Sequence, residues 1–161
     1  MILNRRKIKH VSQEEIAYDL GLIIPKKEAH FFAKVRMGKK PVAGYGTQVG
    51  KKNYSINNYF LKNKIKLKEK YFFIDKISGI QKFLIEKLRK NNDIMVCFNN
   101  KKLYGNGDYG HVSLIKGIQN DNVILMDPEK GKRKVKLLKL INAAKLHGIK
   151  RRGGFWIISG K

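Results

Sequence analysis

Few residues in this chain are of a type and spacing that could do chemistry. His111 and Asp127 stand near the two ends of the segment 105–131, which reads GNGDYGHVSLIKGIQNDNVILMDPEKG. An imidazole oriented by a carboxylate is the base-and-orienter half of a nucleophilic triad, so the chemistry implied is the activation of a nucleophile. The nucleophile itself is what is missing. Cys97 is the only thiol, and it lies in the apolar run Ile94-Met95-Val96-Cys97-Phe98. A cysteine in such a run is expected to be buried and inert, because a reactive thiolate needs an electropositive, partly exposed site. His10, His30 and His147 have no second His, Cys or carboxylate at metal-ligand spacing, so no metal site is expected.

The glycine patterns carry no phosphate chemistry either. Gly105-Asn106-Gly107-Asp108-Tyr109-Gly110 matches G-x-G-x-x-G by letter, but it opens a strand, leaving no helix N-terminus for a phosphate. Gly50-Lys51-Lys52 lacks the earlier glycine and the Ser or Thr of a P-loop. No cofactor is expected.

The elements that must position the pair are the two strands of a hairpin. Val112 and Leu114, then Val123 and Leu125, repeat at the two-residue period of a strand, and residues 119–122 (QNDN) supply a turn. Folding the hairpin brings His111 and Asp127 close. Directly opposed residues have Cβ atoms roughly 4.5–5.5 Å apart, but the register does not follow from sequence. Gly110 beside His111 is expected to leave room for a substrate, and Pro128 to end the second strand with Asp127 at the edge that carries His111.

Around that hairpin the chain reads as helices first and strands later. Ser12 caps a helix running to Gly21, with Glu15 as capping-box partner. Residues 26–52 are irregular, with helical pieces near residues 30–35 and glycines at 38, 44, 46 and 50 marking a long loop. Residues 54–61 form a short helix capped by Ser55, and residues 65–67 a short strand. Residues 78–89 form a helix with Ile80, Phe83, Leu84 and Leu88 on one face. Residues 94–98 read as a central strand, 137–146 as a helix stopped by Gly148, and 155–158 as a closing strand. That segregation predicts an α+β fold, N-terminal helices packed on a C-terminal antiparallel sheet. One domain over residues 1–161 is expected, since no linker or repeat divides the chain.

Composition sets the remaining bounds. The 161 residues, 42% hydrophobic and 30% charged, are those of a soluble globular protein, and no apolar run is long enough to cross a membrane. A basic N-terminus without a following apolar segment or cleavage site is no signal peptide, so a cytoplasmic location is expected. A single Cys excludes an internal disulfide framework. The net charge of +24 admits nucleic acid as a partner, but the lysines are scattered through all elements, with no block longer than such runs as Arg5-Arg6-Lys7 and Lys132-Arg133-Lys134. A compositional bias and a solvated surface account for such scatter.

Gly110-His111-Val112-x-Leu114, then Val123-x-Leu125-x-Asp127-Pro128-x-x-Gly131, then a helix and a closing Phe155-Trp156 strand, resembles the papain-like cysteine peptidases of the bacteriocin-processing, double-glycine-leader family. Residues 11–17 (VSQEEIA) resemble a segment that follows the family's Cys-bearing helix, so the resemblance runs from Val11 to the end and is strongest over residues 110–131. It implies a papain-like fold, His111 as general base and acid, Asp127 as the residue holding its ring, and a peptide or isopeptide substrate presented near a small residue such as glycine. The family's nucleophilic Cys and oxyanion-hole Gln have no matching position here, and neither role passes to Gln13 or Gln48. The expectation is a domain inactive as this chain, either completed by a Cys-bearing N-terminal segment or surviving as a catalytically dead relative. The rivals are a non-catalytic peptide- or protein-binding module and a basic nucleic-acid-binding protein.

Overall fold

The computed structural model describes residues 1–9, 11–34, 36–37 and 46–160. Its contacts divide the chain into two compact units, Met1–Leu67 and Lys68–Lys161. The expected glycine loop lies partly outside the described residues, Gly38 and Gly44 among the positions left out.

In the first unit α1 (Ile2–Arg5) precedes α2 (Gln13–Asp19), whose cap is the one the sequence predicts: Ser12 Oγ accepts from the Glu15 backbone N–H at 3.2 Å. The helix stops ahead of Gly21, at φ +68°, where the Tyr54 ring packs so closely that a Cβ would lie 2.7 Å from it. A short parallel pair follows, β1 (Ile23–Ile24) with β2 (Arg36–Met37). Between them Lys26–Phe31 is a 3-10 helix, a tighter winding than the helical piece expected nearby. α3 (Ile56–Lys62) begins at Ser55, whose Oγ accepts from Asn58 N, and buries Tyr59 and Phe60.

The second unit is built on a six-stranded sheet. β3 (Leu67–Phe73) starts at the division between the units; it shares only Leu67 with the strand expected at 65–67 and runs on beyond it. α4 (Ile80–Arg89), β4 (Asp93–Asn99), α5 (Asn100–Tyr104), β5 (Gly110–Gln119), β6 (Asn122–Asp127), β7 (Gly131–Lys136), α6 (Leu137–His147) and β8 (Gly154–Gly160) follow. The strand order is β3-β8-β4-β5-β6-β7, and the pairings from β8 through β7 are all antiparallel. The fold is α+β, with the apolar β4 in the interior of the sheet as its continuous hydrophobic run requires.

Side chains alternate between the two faces of a strand. On one face Ile94, Val96 and Phe98 of β4, Ile115 of β5, Val123 and Leu125 of β6, and Phe155 and Ile157 of β8 meet Leu84 of α4 and Leu140, Ala143 and Ala144 of α6. Phe98, Phe155, Leu84 and Leu140 are wholly enclosed, each contributing roughly 1.5–3 kcal/mol by leaving water. A bulge in β5, where the register shifts between Ile115 and Gly117, inserts one extra residue. That extra residue is why Ile115 and Ile118, three apart, both reach the core.

Candidate functional site

The site forms at the end of the sheet where β4 finishes and β5 begins. The chain turns out of β4 straight into α5: Asn99 caps it by accepting from Lys102 N at 2.9 Å and donates from Nδ2 to Asp108 at 2.7 Å. The glycines of the following loop serve geometry. Gly105 ends α5 at φ +91°, and Gly107, at φ +64°, lies under the Tyr109 ring, where a Cβ would sit 2.1 Å from a ring carbon. This loop delivers His111 into β5 with its side chain on the helix-covered face.

His111 pairs with Phe98, and the two rings meet edge-on with centroids 5.5 Å apart. Leu114 faces Met126 at the end of the β5–β6 ladder, and just beyond it the side chains of Ser113 and His111 reach Asp127. His111 Nε2 lies 2.9 Å from Asp127 Oδ2, and both residues are buried. An ionised carboxylate can only accept, so Nε2 carries the proton in this bond and the neutral ring leaves Nδ1 as its acceptor. Nδ1 faces the Glu129 carboxylate, 3.7 Å away and half-exposed.

Asp127 is the most heavily bonded side chain of the site. Its Oδ2 accepts from His111 Nε2, from Ser113 Oγ at 2.8 Å and from the Tyr104 hydroxyl at 3.0 Å. Its Oδ1 accepts from the backbone N–H groups of Glu129 at 2.9 Å and Lys130 at 3.0 Å. Burial works to raise its pKa, but the bonds from Ser113, from those two N–H groups and from Tyr104 outweigh burial and hold it down at about 2. Tyr104 is pushed in the other direction, first by burial and then by its bond to the Asp127 anion. The arrangement fixes a carboxylate beneath one nitrogen of a buried imidazole and leaves the other nitrogen able to exchange a proton.

No protein-family model matches the chain, and no curated protein matches it either.

Of the remaining sequence candidates, none of those described joins the pair. Cys97 is opposite Val112, one step out of register from His111, so its Sγ points to the other face of the sheet. Burial pushes its thiol up to about 12, and Sγ donates to the Arg151 carbonyl at 4.0 Å. The room expected beside Gly110 is filled by His147: a Cβ there would lie 2.4 Å from the His147 ring. His147 is the last residue of α6, and burial first, then the charge of Arg151, lowers its pKa. His10 lies outside the described residues, and His30 packs at a tilt against Phe31 in the first unit with ring centroids 4.0 Å apart. Among the described residues no group of three His, Cys, Asp or Glu is placed to hold a metal ion, and no helix is long and apolar enough to cross a membrane.

Three site residues were not singled out from sequence. Ser113 carried a usable signal, since it stands two residues after His111 and so shares its face of the strand. Glu129 could be found only once the register was known. Tyr104 carried none, because the short helix that presents it follows a strand without an intervening turn signal.

Proposed function

We propose that this chain is a papain-like cysteine-peptidase-like domain that acts on or binds peptides through a site at His111 and Asp127. The observation that carries this reading is the His111 Nε2 to Asp127 Oδ2 bond at 2.9 Å, made by a buried carboxylate that is ionised down to about pH 2. Such a carboxylate fixes the imidazole tautomer and stabilises the imidazolium formed when the ring takes a proton from a nucleophile. His111 is the general base and acid, and Asp127 holds its ring. The substrate class is a peptide or isopeptide with a small residue such as glycine at the reacting bond.

His and Asp activate a nucleophile and cannot replace one, so hydrolysis through an acyl-enzyme requires a thiol other than Cys97. The test is to fuse a Cys-bearing helix to the N-terminus and assay cleavage of a diglycine-containing peptide. Cleavage should appear with the fusion and vanish on His111→Ala; cleavage that persists without His111 overturns the reading.

The position of Cys97 on the opposite face of the sheet favours a second reading, a binding module without catalysis. On that reading His111→Ala leaves peptide affinity nearly intact. The exposed side chains Lys132, Arg133 and Lys134 on the edge strand β7 are the feature that a nucleic-acid-binding reading rests on, and its signature is an affinity that falls steeply with salt.

A further inference from the structure

Asp127 Oδ2 is shared by three donors from two elements: His111 and Ser113 on β5 and Tyr104 at the end of α5. A carboxylate offers about four acceptor positions in total, and the two backbone N–H groups of Glu129 and Lys130 already occupy Oδ1. The negative charge available to the imidazole is therefore divided. We infer that Ser113 and Tyr104 are positioning residues that act through Asp127 to limit how strongly this carboxylate holds the proton of His111. The inference rests on His111 working as an acid and base, and says how its basicity is set.

An undiluted buried carboxylate at 2.9 Å would stabilise the imidazolium strongly and leave His111 reluctant to give its proton back. Efficient general acid–base catalysis needs a group whose proton affinity suits the working pH. Two hydroxyls competing for the same oxygen weaken the pair without breaking it. They also fix Oδ2 in place, since Ser113 Oγ donates to it at 2.8 Å from a residue that is 1% exposed.

Several other groups face His111. Glu129 lies 3.7 Å from Nδ1, and the rings of Tyr104 and Tyr109 have centroids 6.4 and 6.5 Å from its own. His147 packs against the neighbouring Gly110. Lys130 Nζ stands 5.3 Å over the Tyr104 ring, whose hydroxyl also feels Arg133. β4 presents only the uncharged Phe98. Both substitutions proposed below leave all of these charges in place, so a change in His111 reports the hydroxyls.

The experiment follows the ring nitrogens and the Nε2 proton of His111 by NMR, in protein carrying nitrogen-15 histidine, across a pH titration. In Tyr104→Phe the His111 titration curve should move to higher pH than in the native protein, and in the double variant with Ser113→Ala further still. The Nε2 proton should move downfield in both as its bond to Asp127 strengthens. Titration curves that overlay the native one, in variants that merely melt earlier, would overturn the inference and reduce both hydroxyls to packing. Tyr104→Phe removes one oxygen and keeps the ring, so it decides by itself if the serine variant does not fold. No peptide or turnover enters this readout, so it stands or falls apart from the proposed peptidase-like activity.

Discussion

Cys97 and His111 lie on neighbouring strands and point to opposite faces of the same sheet. Phe98 is the residue of β4 that faces His111, and Cys97 faces Val112. A one-residue step in a strand reverses the side chain, so no rotamer brings the only thiol of this chain to its histidine.

Cys97 should therefore behave as a small buried apolar residue. With its thiol pushed up to about 12 by burial, the thiolate fraction near neutral pH is on the order of one in 10⁵. Alkylation of the folded protein is expected to be slow and to speed up only on denaturation, and Cys97→Ser should leave the His111 resonances in place. Stoichiometric labelling within minutes under native conditions would contradict the placement.

Asp127 should make stability depend on acid. Its folded pKa, about 2, lies below the ordinary carboxylate value of 3.8. The stabilisation is thus complete above about pH 4 and lost as pH falls through 2, and it amounts to on the order of 2 kcal/mol. Asp127→Asn removes the anion and supplies an amide where five donors converge, at a cost of roughly 2–4 kcal/mol at neutral pH. Denaturant midpoints measured from pH 7 to pH 2 should show the gap between native and variant protein narrowing with acid; a gap that stays constant would mean the carboxylate is not held as an anion.

Gly107 should tolerate no side chain. Its φ of +64° and the Tyr109 ring pressed against it make Gly107→Ala destabilising by about 1–2 kcal/mol. Because Tyr109 lies beside His111, the same variant should displace the His111 ring resonances in a two-dimensional spectrum. A variant as stable as the native protein with unchanged His111 signals would show the loop to be free of the site.

The basic side chains of β7 should be separable from the His111 site. Lysines on an edge strand discourage pairing with another chain, and Lys132, Arg133 and Lys134 are exposed there. Replacing all three with Gln should leave folding stability within about 0.5 kcal/mol and the His111 resonances unmoved. Loss of a salt-sensitive oligonucleotide affinity in that variant would instead favour the nucleic-acid reading.

Much of the site's framework was legible in the sequence, because hairpin, capped helices and central strand are local patterns. The alternation around Leu114 and Leu125 and the turn at 119–122 brought His111 and Asp127 together, and Ser12 and Ser55 cap helices as their residue types suggest. Register was not legible, because the bulge between Ile115 and Gly117 leaves no mark in composition. Without register, Ser113 and Glu129 could not be placed. The strand β7 was hidden by its own charge: GKRKVK is exposed along nearly its whole length, so it lacks the alternation that betrays a half-buried strand. The reach of His147 to Gly110 joins the end of α6 to the start of β5, a tertiary contact that no spacing predicts.

The most direct test of the proposed peptide engagement at the His111–Asp127 pair is to titrate the protein with a diglycine-containing peptide while following the His111 ring nuclei. The account predicts a saturable shift of the His111 signals that is lost in Asp127→Asn. His111 signals that stay fixed at saturating peptide, while an oligonucleotide moves the signals of β7, would contradict it.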